Sequence, residues 1–193
     1  MSSFYSIDEL ANLGLKSYGS NVLISRKCSI YGAQNISIGD NVRIDDFVIL
    51  SIGNSLIIGN YVHIACYASI IGVGKIIISD YCGLSGRVSV YSSSDDYSGI
   101  AMTNPMIPQK YTNVTSGPVT LGNHVIIGCS SVILPNSILE EGVAVGAMSV
   151  VQGKLRANYI YSGNPVKKLM PRSLNYKELQ AQFENELINK TDK

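Results

Sequence analysis

An aliphatic residue returns at every sixth position through most of this chain, and few architectures tolerate that spacing. Ile38, Ile44, Ile58, Ile64, Ile78 and Leu84 mark it first; after an interruption it resumes at Leu121, Ile127, Ile133, Leu139, Val145 and Val151. A small or β-branched residue stands four positions after most of them, as in Val42, Val48, Ala68, Val125, Ser131, Ser137 and Ser149. A six-residue period matches neither the 3.6 of a helix nor the strict alternation of a hairpin ladder. It reads as short parallel strands joined by tight turns, with the aliphatic residue pointing into the axis of a solenoid. Gly, Asn and Asp between the repeats supply the turns. The 20-residue spacing of Ile38, Ile58 and Ile78 gives the N-terminal coils two residues more than the 18 of the later ones. A weaker copy begins at Ile24 and Ile30.

Composition narrows the function classes. The 193 residues carry 15 Lys and Arg against 14 Asp and Glu, a net charge of +1, which argues against a nucleic-acid binder. No apolar run reaches the roughly 18 residues of a membrane span. Asp8 and Glu9 stand where a signal peptide would be basic and then apolar, so a cytoplasmic address is expected. Cys28, Cys66, Cys82 and Cys129 show no C-x-x-C spacing and read as reduced thiols, with no metal site expected.

These repeats resemble the hexapeptide-repeat acyltransferases, over about Val22 to Val151. The resemblance implies an all-β fold, a left-handed parallel β-helix, assembled as a homotrimer with active sites between subunits. One acyltransferase domain is expected over 1–193, with an N-terminal cap at 1–21, the β-helix at 22–156 and a C-terminal segment and helix at 157–193. Ser6-Ile7-Asp8-Glu9 forms a capping box for a short helix that places Leu10 and Leu13 over the first coil. Asn175 and Glu178 open a C-terminal helix whose Leu179, Phe183 and Leu187 share one stripe. The inserted loop at 92–118 is long enough to be functional.

Acyl transfer from coenzyme A needs a groove for the pantetheine arm, cations for phosphates, and groups that place the nucleophile. Gly128, Ser130, Gly146, Ala147 and Ser149 would let a thin ligand approach the late coils; each is equally accounted for by turn geometry. Tyr161 to Lys168 is similar to the family's closing motif, and Lys167 and Lys168, with Lys154, Arg156 and Arg172 nearby, are candidates for the phosphates. The run Ser94-Asp95-Asp96-Tyr97-Ser98-Gly99 resembles the subgroup that acylates the amino group of nucleotide-linked sugars, notably dTDP-4-amino-4,6-dideoxyglucose, for surface-polysaccharide synthesis. That resemblance implies acetyl-CoA as cosubstrate and gives Ser85 and Asp95 contacts to the reacting centre, with Asp96 able to exchange roles with Asp95.

Many relatives use a loop histidine as base, and this loop has none. His63 and His124, the two histidines of the chain, are the remaining candidates for a proton acceptor or a sugar contact; a surface role explains either as well. A hydroxyl acceptor needs a base during attack and an amine does not, so the missing loop histidine favours N-acylation. An O-acetyltransferase of a surface sugar and a non-catalytic β-helix scaffold are the alternatives.

Overall fold

The computed structural model describes residues 3–191; residues 1–2 and 192–193 of the expected single domain lie outside the described residues. The chain winds as a parallel β-helix whose three faces are sheets of seven, eight and six strands. Vertical register follows the hexapeptide phase: Ile38 pairs with Ile58, Ile58 with Ile78, Ile78 with Leu121, and Leu121 with Leu139. These residues and their counterparts on the other two faces, such as Ile44, Ile64, Leu84, Leu50, Ile70 and Val90, fill the axis almost without exposure. Burying each contributes about 2 kcal/mol. The last coil departs from the expected 18-residue repeat. Leu139 pairs with Leu155, 16 positions on, because only four residues separate Val151 from Leu155 where six separate Ile133 from Leu139.

Glycine and asparagine make part of the turns, as at the left-handed Asn21, Asn136, Gly142, Gly153 and Asn158, and other residue types share the corners with them. Phe47, Tyr67, Arg87, Ser130 and Met148 occupy one corner column, and Asn41, Tyr61, Tyr81 and His124 another, all in the left-handed region with φ between 55° and 61°. That conformation costs a side-chain-bearing residue about 1 kcal/mol. Ring stacking offsets it: Tyr61 on Tyr81 at 5.1 Å, Tyr81 on His124 at 4.8 Å, and Phe47 on Tyr67 at 5.0 Å between centroids. Several glycines stand instead where successive coils approach too closely for a Cβ, as at Gly39 and Gly122.

Helix α1 (Ile7–Ala11) carries the expected capping box, Ser6 and Glu9 each receiving the other's backbone N–H. It buries Leu10 over the first coil, with Leu13 packed against the same core. The Arg26 guanidinium, then the Ser6 amide, hold the Glu9 carboxyl down at about 2 from an ordinary 4.5. A depressed carboxyl stabilises the fold above its unfolded value and loses that contribution as pH falls through the folded one. Melting temperature followed from pH 4.5 to 2 should therefore fall less steeply for Glu9→Gln than for the parent.

Helix α2 (Asn175–Thr191) runs against the Tyr61, Tyr81 and His124 corner. Phe183 meets Tyr61 edge-on at 5.3 Å, and Tyr81 donates to Glu184 at 2.7 Å. Leu179 and Leu187 of the expected stripe stay partly exposed in the single chain. The inserted loop is organised by an antiparallel pairing of Ser93–Ser94 with Thr115–Ser116 and a 3-10 turn at Gln109–Tyr111. No helix among the described residues is long and apolar enough to cross a membrane.

Candidate active site

On the face carrying Ile44, Ile64 and Leu84 inward, one outward column is made of very small residues. Backbone hydrogen bonds stack Ala65 on Ser85, Ser85 on Gly128, Gly128 on Gly146, and Gly146 on Ser162. Ser162 is then paired with Lys167 in the antiparallel strand Lys167–Pro171 that closes the face. From Ser85 to Lys167 this column takes four steps of about 4.8 Å, roughly 19 Å in all. The column is half-buried up to the exposed Lys167, with a hydroxyl at one end and an ammonium at the other. Ala147 stands exposed beside Gly146, and Ser130 is exposed at the neighbouring corner. Ser149 does not belong to the column: its side chain is fully enclosed and its hydroxyl donates to the Gly146 carbonyl at 2.7 Å. An inward hexapeptide position faces the axis and cannot meet a ligand.

His63 lies on the same face as Ser85, one coil earlier. Its Nε2 is 2.8 Å from Oδ2 of Asp45, whose Oδ1 accepts from Nε of Arg43 at 2.7 Å. Burial opposes the Asp45 charge, yet the His63 and Arg43 hydrogen bonds hold its carboxyl below the ordinary carboxylate value. A hollow of about 270 Å³ joins His63, Gly83, Ser85 and Ile126. His124 is placed elsewhere. Its ring is stacked on Tyr81 and tilted against Tyr176 at 4.6 Å, and its Nε2 meets Oε1 of Gln180 at 2.5 Å. These contacts dock α2, and they put His124 on a different corner from Ser85.

The two loop aspartates separate in role. Asp96 accepts from the Ser98 hydroxyl at 2.6 Å, the Ser98 amide at 2.9 Å and the Ala101 amide at 3.0 Å. Those bonds, the Ser98 hydroxyl first, hold its carboxyl low and spend it on the loop's own shape, so it does not exchange with Asp95. Asp95 is exposed and borders two hollows, one of about 930 Å³ within the loop and one of about 480 Å³ shared with Tyr97, Leu134 and Asn136. Ser85 and Asp95 line different hollows, and the strand Ser89–Tyr91 of another face lies between them in the chain.

No protein-family model matches the chain. It is 52% identical over 181 residues to the dTDP-4-amino-4,6-dideoxy-D-glucose acyltransferase of Escherichia coli, covering 93% of this chain and 94% of that one. The chain belongs to that acyltransferase family. Its fold superposes on AntD, an N-acyltransferase from Bacillus cereus, in complex with dTDP and 3-hydroxybutyryl-CoA; the TM-score is 0.93 at 49% identity, covering 97% of this chain and 99% of that chain. A serine-to-cysteine variant of AntD with dTDP-4-amino-4,6-dideoxyglucose and coenzyme A gives the same TM-score of 0.93 at 49% identity, over 96% and 99% of the two chains.

Within this acyltransferase frame the basic C-terminal segment divides. Lys154 pairs with Glu140 at 2.6 Å, and Arg172 donates to the His124 and Gly142 carbonyls. Lys168 lies 3.6 Å over the Tyr159 ring, while Lys167 continues the small-residue column and is exposed. Sequence reasoning missed Asp45 and Arg43. The 20-residue spacing contained the signal, since it places Arg43 and His63 in one outward column. It also missed the cationic and aromatic corner beside Ser85, where Arg87 lies 5.3 Å over Tyr67 and Lys27 lies 5.3 Å over Phe47.

Proposed function

We propose that this protein is a CoA-dependent N-acyltransferase that acylates the 4-amino group of dTDP-4-amino-4,6-dideoxyglucose, with acetyl as the simplest acyl group, for surface-polysaccharide synthesis. The observation that carries the reading is the small-residue column from Ser85 to Lys167. Its length suits an extended pantetheine arm with its carbonyl end at Ser85 and its phosphates at Lys167, and a thin ligand there lies against backbone at Gly128 and Gly146. Lys168 adds positive charge next to Lys167, and Ala147 and Ser130 border the same column.

The sugar nitrogen attacks the thioester carbonyl, the carbon–nitrogen bond forms, the carbon–sulfur bond breaks, and the nitrogen's proton passes to the departing thiolate. The products are an amide and free coenzyme A. The Ser85 hydroxyl donates to the carbonyl oxygen as charge builds on it. Asp95 accepts from the sugar amine and holds it on line. Because Ser85 and Asp95 line different hollows of one chain, the complete site takes Ser85 from one subunit and Asp95 of the partner subunit, in a homotrimer. A single 1–193 domain with a cytoplasmic address completes the reading. Reduced thiols such as the exposed Cys66 and Cys129 suit that compartment.

O-acetylation is the second reading, favoured by one observation: Asp45 supports His63 beside Ser85, and a hydroxyl acceptor needs such a base. Purified protein with acetyl-CoA, offered amino and hydroxyl dTDP sugars while thiol release is followed, decides between them. Release with the 4-amino sugar is expected, and release with hydroxyl sugars alone overturns the proposal.

A further inference from the structure

Most glycines of the fold have a visible reason to be glycine. The backbone is left-handed, or a Cβ would strike the neighbouring coil. Gly83 has neither reason, and Gly86 three residues on has only a near approach, a Cβ there lying 3.3 Å from the Cys66 carbonyl oxygen. It sits in the short strand Gly83–Leu84, outside the left-handed region, and a Cβ built on it would meet nothing closer than Cγ1 of Ile126 at 3.9 Å. A glycine inside a strand loses side-chain packing and chain entropy, and where neither backbone nor packing demands it, open space at that point is what remains to explain it.

That space is bounded. Gly83 is paired on one side with His63 and on the other with Ile126, so the imidazole and the isoleucine form walls above and below a notch floored by sheet backbone. Asp45 fixes the His63 wall at 2.8 Å. Ser85, two residues along the same strand direction, opens onto the same hollow of about 270 Å³. The two sides of Ser85 differ in their lining. Beyond it at the corner lie Arg87, Tyr67 and Phe47, groups suited to a nucleotide's phosphates and base. On the Gly83 side one wall is the His63 ring held by Asp45, the other is the aliphatic Ile126, and the floor is bare, which suits a short acyl chain.

We infer that the notch left by Gly83 receives the acyl chain of the thioester, so that position 83 determines the longest acyl group transferred. This rests on the acyltransferase reading above. With the carbonyl carbon at Ser85, an acetyl methyl only enters the notch. Longer short-chain acyl groups extend between His63 and Ile126.

The test uses the full chain and its Gly83→Ala and Gly83→Val variants, each checked by thermal unfolding; the space around the added Cβ accommodates the alanine. Two quantities are read. One is kcat/KM for acetyl-CoA and butyryl-CoA with the amino sugar at saturation; the other is Kd for coenzyme A and butyryl-CoA by calorimetry. Filling a pocket by one or two methyl groups changes selectivity by about tenfold or more. The butyryl-to-acetyl ratio should therefore fall at least about tenfold in Gly83→Val and less in Gly83→Ala. In binding, Gly83→Val should weaken butyryl-CoA relative to coenzyme A. A uniform loss across both thioesters, or a loss confined to the KM for the nucleotide sugar, overturns the assignment. If the parent acylates no amino sugar, the reading above fails instead. The calorimetry still decides the notch: an unchanged butyryl-CoA to coenzyme A affinity ratio in Gly83→Val overturns it.

Discussion

Asp95→Asn should lower kcat for the amino sugar at least about tenfold while leaving the affinity for coenzyme A unchanged. The substitution keeps the size of the side chain and removes its charge and one acceptor. The Asp95 side chain makes none of the loop's hydrogen bonds, whereas its carbonyl accepts from Ser94 and the Asp96 carboxylate accepts three, so the variant keeps its fold. Steady-state kinetics with the 4-amino sugar and calorimetry with coenzyme A measure the two halves of the expectation. Undiminished turnover removes Asp95 from the reaction.

The same variant tests where the site is assembled. Ser85→Ala and Asp95→Asn chains, each poorly active, are to be unfolded together and refolded as mixed trimers. If Ser85 and Asp95 of the partner subunit form each site, random mixing restores about a quarter of parental activity, because one arrangement in four is intact. If both residues serve a site within one chain, mixing restores nothing.

Gly128→Ala should be the most damaging small substitution on the column's face. Its added Cβ would lie 2.4 Å from the backbone nitrogen of Ala147, and the amide of Gly128 already donates to the Val145 carbonyl at 2.8 Å. Neither partner is a flexible side chain, so two coils must part. Overpacking of this kind costs about 3 kcal/mol, on the order of 6–12 °C in Tm for a chain of this size. Gly83→Ala, the same chemical change on the same face, should shift Tm by less than about 2 °C. Thermal unfolding of the pair measures the contrast, and equal shifts would contradict the stacking account of Gly128.

Some of the site was legible because it follows from period alone. Ser85 lies one residue past an inward leucine, so a hexapeptide phase places it outward. The same rule puts Ser149 inside, four positions after Val145, and applying it strictly would have removed Ser149 from the ligand-facing set. The division between Asp95 and Asp96 was not legible. It depends on which carboxylate the Ser98 and Ala101 amides reach, and that follows from how the loop folds over itself. His124 likewise looked like His63 in sequence. Its role was decided by α2, which arrives from more than fifty residues away to meet it through Gln180.

The six-residue repeat by itself determined the solenoid, the inward column and the approximate extent of each coil, because a strand-and-turn period admits few ways to bury an aliphatic residue on every turn. Only the tertiary structure decided which outward residues share a column. Those neighbours are set by stacking across coils of 20, 18 and 16 residues, and each change of coil length shifts every later alignment. It also decided which glycines the backbone requires and which one leaves a space, since that depends on the distance to atoms many residues away.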